Sequence, residues 1–451
     1  MEAAQVGQEK GAAGQIHVTS GQLRAINFGQ FRTTWGTPTW ETFDKAPKTP
    51  AISICEEDGK YLIDLTGKGR VVARLKADAF RGYKKIRLPM ARLRGVTEPE
   101  KYVLLGGHYC SWFIGATDNA VGNALMLEMA RVFSKHRKKL NRGITFAWWP
   151  GHEQGTYAGS TWFVDHFWDD IRDNAVAYLV LDGLGRKGSS GFEPRNTEEI
   201  RHFQERVIQD ILGLDVRSRR VPRFGDQSFW GMGLPSMTGG TTFSTQLAGA
   251  MAANAVWYGH TAHDTLDKVD IHLAEIPFKV YSVSLLRLCN NPVLPFEFGT
   301  TVDLFKKALG DLAEKSQPAF DPGSLTPAME ELEKNVRSLN RLTAKTFALL
   351  SKGKMNKGLR ARFGAINACL MDLSRILFPV LSLKAGKYGQ DPMGTKFRPL
   401  PGLQAVEKLA SMDHGSEESK ALATSLLRER NRLSDTLHAA NSSLRRLLGK
   451  T

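Results

Sequence analysis

The chain has 451 residues, of which 42% are hydrophobic and 24% are charged, with 43 glycines and 19 prolines. This composition is that of a globular protein long enough for two or three domains, and it excludes collagen-like, disordered and disulfide-scaffold classes. The formal net charge is +15 at pH 7, and residues 301–451 hold 25 lysines and arginines against 15 acidic residues, so most of the basic excess is C-terminal.

Residues 1–75 are predicted to form a partial β-rich domain. Runs typical of strands, QIHVTS, AISICEEDGKYLIDL and RVVARLKA, alternate with Gly, Pro and Thr. One or two of these strands have no partner N-terminal to them, so we expect that an upstream segment is missing from this chain. The first 30 residues lack the apolar core of a signal peptide.

Residues 76–300 change to an α/β pattern. Apolar runs of strand length, such as KYVLLGGHY, GITFAWW and VAYLVLDGLG, alternate with amphipathic helical patterns such as GNALMLEMARVFSKHRKKL. This alternation predicts a mostly parallel mixed sheet covered by helices on both faces. In such sheets, functional groups collect at the carboxyl ends of the strands.

Residues 301–451 lose the strand pattern and are predicted to be a helical domain. PAMEELEKNVRSLNRLTAKTFALL and ESKALATSLLRERNRLSDTLHAANSSLRRLL carry apolar residues at spacings of three and four. Their basic residues are interleaved with leucines, which favours the solvated faces of a helical bundle over a nucleic-acid site. No nucleic-acid-binding motif accompanies the charge, so we do not expect a nucleic-acid partner.

No stretch approaches the about 18 uninterrupted apolar residues of a membrane helix, so we expect a cytoplasmic protein with no membrane partner. The four cysteines, Cys55, Cys110, Cys289 and Cys369, lie far apart and form no CxxC pair. This spacing fits a reducing compartment and gives neither a disulfide framework nor a thiolate zinc site.

Five potential metal ligands lie at or after strand ends in the α/β region. They are His108 after KYVLLGG, Asp118 in GATDNAVG, Glu153 in WWPGHEQG, Asp182 in AYLVLDG and His260 in WYGHTAHDT. One imidazole and one carboxylate for each ion, with one shared carboxylate, is a donor set suited to two neighbouring divalent ions with positions open for water.

These motifs, together with GDQSFWGMGLPS and HTAHDTLDKVD, resemble the co-catalytic zinc aminopeptidases and their relatives, glutamate carboxypeptidase II and the transferrin receptor. The resemblance implies that Asp118 bridges two ions, that His108 and either Asp182 or Glu153 are terminal ligands, and that His260 closes the second site. More weakly, residues 1–75 resemble a protease-associated domain and residues 301–451 the helical dimerisation domain of the transferrin-receptor branch.

The chain departs from the family pattern at the general base, where His152-Glu153 replaces Glu-Glu. The first glutamate of the family passes a proton from water to the leaving amine. An imidazole can do this near neutral pH, although two adjacent cations would lower its proton affinity. The reverse assignment, with Glu153 as base and His152 as ligand, stays open.

The second departure is Cys110, where the family has an aspartate that accepts the other ring N–H of the histidine ligand. A thiol is a weaker acceptor, so metal affinity or choice is expected to shift, typically by 10–100-fold. A role for Cys110 as a small buried residue is an equal alternative. Among the other candidates, Asp264 is expected to orient the His260 loop, Asp226 to hold a loop near the pocket, and Trp112 to line that pocket.

We therefore expect a binuclear metal-dependent hydrolase of a peptide or small amide bond, with two divalent ions, zinc being favoured, and His152 or Glu153 as the catalytic proton carrier. A competing hypothesis is a binding protein on a peptidase fold that has lost catalysis. Retention of all five ligand positions favours the enzyme. The resemblance also implies a homodimer formed by the helical region.

Overall fold

The computed structural model describes residues 2–22, 24–29, 38–45, 48–78, 82–223, 225–244, 256–316, 321–391 and 398–449. Its N-terminal part contains two helices and a two-stranded parallel sheet. The elements are α1 (Glu2–Glu9), β1 (Gln15–Val18), β2 (Ala51–Ile54) and α2 (Glu56–Lys68).

The strand prediction for the N-terminal region is only partly right. AISI forms β2, but the following residues form α2, and residues 70–77 contain no strand. Three acidic residues, Glu56, Glu57 and Asp58, occupy the first turn of α2, where a helix dipole favours negative charge. The described part of residues 1–75 is therefore a mixture of helix and strand and not β-rich, whereas its assignment as a protease-associated domain stays a prediction.

The α/β region contains a seven-stranded mixed sheet in the order β3-β5-β4-β6-β9-β7-β8. The neighbours β5, β4, β6 and β9 run parallel, while β3 and β7 pair antiparallel with β5 and β9. Carboxyl ends of the parallel strands thus share one edge. The strands are β3 (Met90–Leu93), β4 (Glu98–His108), β5 (Arg142–Trp149), β6 (Ala175–Val180), β7 (Ser190–Asn196), β8 (Arg219–Arg220) and β9 (Ser236–Thr242).

Helices cover both faces of this sheet, which confirms the predicted α/β class. Along β4, Val103 and Leu105 join one apolar cluster while Tyr102 and Leu104 join another, because successive side chains of a strand point to opposite faces. The first cluster includes residues of α3, α7 and α8, and the second includes residues of α5 and α6. The helices are α3 (Val121–Lys135), α4 (His152–Gly155), α5 (Ala158–His166), α6 (Trp168–Asn174), α7 (Arg201–Leu212) and α8 (Ile271–Asn290).

The C-terminal region is helical, as predicted, and its apolar residues continue the first cluster of the α/β region without a break. Only α11 among the described helices is long and apolar enough to cross a membrane, and 67% of its most apolar window is buried inside the protein, which is typical of a core helix. The homodimer expected from this region stays a prediction. The helices are α9 (Gly299–Ser316), α10 (Thr326–Ser351), α11 (Lys357–Ser382), α12 (Val406–Ala410) and α13 (Glu417–Leu448).

A buried carboxyl group lies where the α/β region meets α11. Glu199 Oε1 accepts hydrogen bonds from Thr197 Oγ1 at 2.8 Å and from Ser374 Oγ of α11 at 3.2 Å. Burial raises the pKa of Glu199 to about 7, and the adjacent carboxylate of Glu198 adds to the rise. The facing cation is Arg220, whose Nε lies 3.1 Å from Glu198 Oε1.

Because of its raised pKa, Glu199 is expected to lower the folding stability of the protein as the pH rises from about 4.5 to about 7. Over that range the unfolded chain releases the Glu199 proton while the folded protein retains it, so the folded state binds more protons and loses stability with increasing pH. The loss for this group is about 3 kcal/mol at most. Urea unfolding at about pH 5.5 and about pH 8 should show about 2 kcal/mol of this loss.

Glu199→Gln is expected to reduce this pH dependence and to stabilise the protein at the higher pH, because a neutral amide replaces the buried carboxylate. Glu418→Gln, at an exposed position of α13, is the matched control and should leave the pH dependence unchanged. Equal pH dependence in the wild type and in Glu199→Gln would contradict the prediction.

Candidate metal centre

The candidate ligands meet at the carboxyl edge of the sheet. His108 is the last residue of β4, His152 and Glu153 begin α4 just after β5, and Asp182 follows β6. Because these three strands are parallel neighbours, their ends lie side by side. Asp118, in the irregular turn before α3, and His260, between β9 and α8, complete the cluster.

Asp118 lies between two imidazoles. Its Oδ1 is 2.9 Å from His108 Nε2 and its Oδ2 is 2.9 Å from His260 Nε2. Burial would raise the pKa of Asp118, but the two histidines hold it well below its usual value. One carboxylate therefore contacts both halves of the cluster, which is the position predicted for a bridging ligand.

The ligand atoms form three groups, of which two share Asp118, one formed with His108 and Asp182 and the other with Glu153 and His260. The third joins His152 to His108 and Glu153, so a ligand role for His152 also stays open. Within each group, these atoms lie within 4.8 Å of one another. His108 Nε2 is 3.3 Å from Asp182 Oδ1, and His260 Nε2 is 3.4 Å from Glu153 Oε2. Three carboxylates and two imidazoles suit two divalent cations, each with three protein ligands.

The orientation of His108 also fits a cation. His108 Nδ1 is 2.7 Å from the carbonyl oxygen of Cys110, so Nδ1–H donates to it, and in the neutral form of the ring the Nε2 lone pair faces Asp118 and Asp182. In that form, His108 Nε2 and Asp118 Oδ1 are two acceptors that face each other, and this arrangement is favourable when a cation lies between them.

Without a cation, the carboxylates act on the histidines directly. Burial lowers the pKa of His108, but Asp182 and Asp118 together raise it well above its usual value. Burial likewise opposes the rise at His260, where Asp118 and Glu153 bring the pKa to about 9. The carboxylates therefore favour protonated imidazoles, and a cation that binds here must displace those protons.

The backbone carbonyl oxygen of Cys110 makes the contact with His108 that was expected of the side chain at this position. It accepts from His108 Nδ1, while the Cys110 thiol accepts the backbone N–H of Glu153 at 3.5 Å. A backbone acceptor can fix the histidine tautomer as the family aspartate would, because a carbonyl oxygen also accepts the ring N–H. The substitution therefore alters the acceptor without leaving His108 unsupported.

Asp264 supports the turn that carries Asp118. Its Oδ1 accepts the N–H of Thr117 at 3.0 Å and its Oδ2 accepts the N–H of Asp118 at 3.1 Å. Asp264 was expected to orient the His260 loop, which stays a prediction, and its side-chain contacts are with the loop of the shared carboxylate.

His152 forms a buried pair with Asp226. His152 Nδ1 is 2.7 Å from Asp226 Oδ2, and the His152 ring stacks on the His108 ring at a centroid distance of 3.9 Å. A Cβ on Gly225 would lie 2.3 Å from His152 Cε1, so the glycine makes room for the ring. The sequence analysis placed Asp226 near the pocket but did not identify its partner.

The N-terminal part of the chain contributes to the opposite side of the site. Asn27 Nδ2 donates to the carbonyl of Gly259 at 3.1 Å, and the N–H of Phe28 donates to the carbonyl of His260 at 3.1 Å. A Cβ on Gly29 would lie 1.8 Å from His260 Nδ1. These contacts hold His260 in a left-handed conformation, with φ of 59°, and the sequence analysis did not predict them.

Aromatic side chains lie beside the cluster, in the loop that follows His108. Trp112 packs against Phe28 with ring centroids 5.4 Å apart, and Phe113 packs on the other side of Phe28 at 5.3 Å. Phe113 is 56% exposed. Trp112 thus lies close to the candidate ligands, whereas its contact with substrate stays a prediction.

The five predicted ligands and His152 therefore come together in space, while their roles in metal binding and catalysis stay predictions. His136 and His166, which carry no assigned role, are exposed. The residues that the sequence analysis missed are Asn27, Phe28, Gly29 and Gly225. None of them has a chemical signature of its own, since they act through a single side-chain amide, backbone groups, packing or the absence of a side chain.

Comparisons with known proteins identify relatives of this region. The model of Peptidase family M28 matches residues 90–280. A probable glutamate carboxypeptidase, VP8 of Zea mays, is 27% identical over 250 residues, which are 51% of this chain and 34% of that protein. Transferrin receptor protein 2 of Rattus norvegicus is 24% identical over 354 residues, which are 68% of this chain and 43% of that protein.

Among solved structures, the zinc aminopeptidase BSAP from Bacillus subtilis is 18% identical, with a TM-score of 0.47, and the match covers 64% of this chain and 67% of that one. The chain spans less than half the length of the two curated relatives described above. All five candidate ligands fall within the region that matches the peptidase family. The resemblance to this peptidase family is therefore confirmed over residues 90–280.

Proposed function

We propose that the protein is a metal-dependent hydrolase that cleaves a peptide or small amide bond with two divalent cations, zinc being favoured. The observation that carries this proposal is the pair of ligand groups that share Asp118. The peptidase family match supports a hydrolase, and the shared carboxylate supports a two-ion site.

His108 and Asp182 would hold one cation, Glu153 and His260 the other, and Asp118 would bind both. When bound, the cations supply an acidified water and an electrophile for the carbonyl oxygen of the substrate. With three protein ligands for each ion, positions remain open for water and substrate. The buried carboxylates provide the negative charge that offsets the two cations.

His152 is the proposed proton carrier. Its Nδ1–H donates to Asp226, which fixes the tautomer and leaves Nε2 as the acceptor for a proton of the attacking water. A ring nitrogen of His152 lies within 4.8 Å of ligand atoms of His108 and Glu153, so the ring borders the cluster. Asp226 stabilises the imidazolium until the proton passes to the leaving amine, while Glu153 serves as a ligand.

The test is metal content by elemental analysis together with hydrolysis of a panel of dipeptides and aminoacyl amides. We expect about two ions per chain and metal-dependent cleavage. His152→Ala should keep both ions and lower kcat by about 10²–10⁴-fold, because the proton carrier is lost. Asp226→Asn should give a smaller loss, and Asp173→Asn, at an exposed site, should give none.

Two results would contradict this assignment. Loss of one ion in His152→Ala would make His152 a ligand and return the proton transfer to Glu153. No bound metal and no cleavage after addition of zinc, manganese or cobalt would contradict the hydrolase itself.

A catalytically inactive binding protein of the transferrin-receptor type is the second candidate. Two observations favour it: the match to transferrin receptor protein 2 covers 68% of this chain, and His152 and Cys110 replace the family base and acceptor. Restoration of cleavage by His152→Glu in a protein that binds two ions but has no activity would support this candidate.

A further inference from the structure

Two segments that are distant in sequence pack against each other in the structure. One is the loop of residues 383–391, which follows α11 in the helical region, and the other carries Asp226 between β8 and β9. A Cβ on Gly231 would lie only 1.9 Å from the carbonyl oxygen of Lys387, so the two segments are in direct contact. The loop lies outside residues 90–280, the part of the chain that matches the peptidase family.

The side chain of Gln390 in this loop forms hydrogen bonds on both sides of Asp226. Its Oε1 accepts from Nη2 of Arg223, three residues before Asp226. Its Nε2 donates to the carbonyl oxygen of Ser228, two residues after Asp226, at 3.1 Å. One amide group therefore ties together two points of the Asp226 segment, with both its oxygen and its nitrogen engaged.

The loop that carries Gln390 is held in shape by its own contacts. The buried carboxylate of Asp391 accepts the backbone N–H groups of Lys384 and Ala385, each at 2.9 Å. These bonds join the two ends of the loop directly after α11. The position of Gln390 is thus set by the helical region and not by the segment that it holds.

Arg223 is a buried cation whose hydrogen bonds all go to neutral oxygens. It is 1% exposed, and its Cζ lies 4.5 Å from the centre of the Tyr157 ring and 5.3 Å from that of the Trp230 ring. Its Nε donates to the carbonyl oxygen of Asp391 at 3.4 Å, while Nη1 has no partner among the described residues. Loss of the Gln390 oxygen would leave this charge poorly compensated, so the guanidinium would have to move.

Asp226 itself depends on restraint from its surroundings. Its φ is 61°, a left-handed conformation that a residue other than glycine keeps only when neighbouring contacts hold it. Its backbone N–H donates to the carbonyl oxygen of Thr156 at 3.2 Å, and its Oδ2 lies 2.7 Å from Nδ1 of His152. A shift of the flanking residues would therefore change the direction of the carboxylate that orients His152.

We propose that Gln390 is a positioning residue for proton transfer, which holds Asp226 in the orientation that directs His152. The helical region would then complete the catalytic machinery of the α/β region. This assignment rests on the proposed hydrolase function, in which His152 carries the proton. Gln390 acts through Arg223 and Ser228 and contacts neither metal nor substrate in this role.

Gln390→Met tests this role, because methionine keeps the size of the side chain and removes both hydrogen bonds. In the zinc-loaded protein, kcat for the dipeptides should fall at least about tenfold, since His152 is misdirected. KM and the content of two ions should not change. Gln404→Met is the matched control, because Gln404 is also a half-buried glutamine of the helical region and donates to a backbone carbonyl, that of Pro399, at 2.7 Å. It should keep the wild-type kcat.

A double variant separates positioning from a general loss of stability. If Gln390 acts through Asp226, then Gln390→Met should lower kcat by less than about twofold in a protein that already carries Asp226→Asn, because both substitutions break the same line of contacts. The effect of a merely structural glutamine would multiply with that of Asp226→Asn. Unchanged kcat in Gln390→Met, or losses that multiply in the double variant, would overturn the proposal.

Hydrogen exchange tests the contacts without relying on catalysis. Because the N–H of Asp226 is hydrogen-bonded to Thr156, its exchange rate reports how firmly the segment is held. Peptides that span residues 225–231 should exchange about three- to tenfold faster in Gln390→Met and at the wild-type rate in Gln404→Met. If the wild type cleaves no substrate but this exchange is faster in Gln390→Met, the hydrolase function fails while the positioning of Asp226 stands. Exchange at the wild-type rate in Gln390→Met would overturn the positioning itself.

Discussion

Asp118→Ala is expected to remove both metal ions and to lower hydrolysis by at least about 10³-fold. Asp118 is the only carboxylate within the described residues that pairs with both His108 and His260, at 2.9 Å in each case. Its loss leaves each ion with two protein ligands and brings the positive charges together without the carboxylate between them. Elemental analysis and steady-state kinetics measure the two effects.

Asp173→Asn is the control for this substitution, because Asp173 is exposed and pairs with Arg172 on the surface. It should retain two ions and full activity. Circular dichroism should show that Asp118→Ala is folded. A folded Asp118→Ala protein that still holds two ions would contradict the bridging role.

Gly29→Ala is expected to weaken one of the two metal sites and spare the other. The added Cβ would lie 1.8 Å from Nδ1 of His260, far inside van der Waals contact, so the imidazole or the N-terminal segment must move. His260 belongs only to the group formed with Asp118 and Glu153. We therefore expect about one ion per chain at metal concentrations that fill only the unaffected site. The affinity of the weakened site should fall by about 10–100-fold.

Gly67→Ala is the matched control, since a Cβ at Gly67 in α2 meets nothing within 4 Å. It should bind two ions with wild-type affinity. Titration with a chromogenic chelator distinguishes one high-affinity site from two. If Gly29→Ala binds both ions with wild-type affinity, the N-terminal segment must move without disturbing His260. Its contacts with the His260 loop would then not support the metal site.

The sequence was sufficient to predict the sheet and the clustering of the candidate ligands, because both depend on local patterns. The apolar runs that became β4, β5 and β6 are continuous, as expected for strands buried on both faces. Once these strands are parallel, the residues that follow them must meet at one edge. His108, Glu153 and Asp182 could therefore be placed together without knowledge of any side-chain contact.

The supporting contacts could not be predicted in this way, because they join loops that are distant in sequence. The His152–Asp226 pair spans 74 residues, and whether an aspartate in GDQSFW reaches His152 depends on the path of the loop. Cys110 shows a different limit. The sequence shows that a cysteine replaces the family aspartate, but no sequence pattern specifies that the backbone carbonyl of Cys110 accepts the hydrogen bond from His108. The strand prediction over residues 56–65 was wrong because a short apolar run fits either a helix or a strand.

The hydrogen bond between Asn27 and Gly259 joins residues 232 positions apart. During translation at the usual rates, residue 27 emerges roughly 10 to 50 s before residue 259. Contacts of such high contact order form late in folding, because a long loop must close before they contribute any stability. The complete His260 environment does not exist until nearly the whole α/β region has been synthesised. Metal loading of the second site is therefore expected to follow translation of this region, so that a nascent chain that ends before His260 would hold at most one ion.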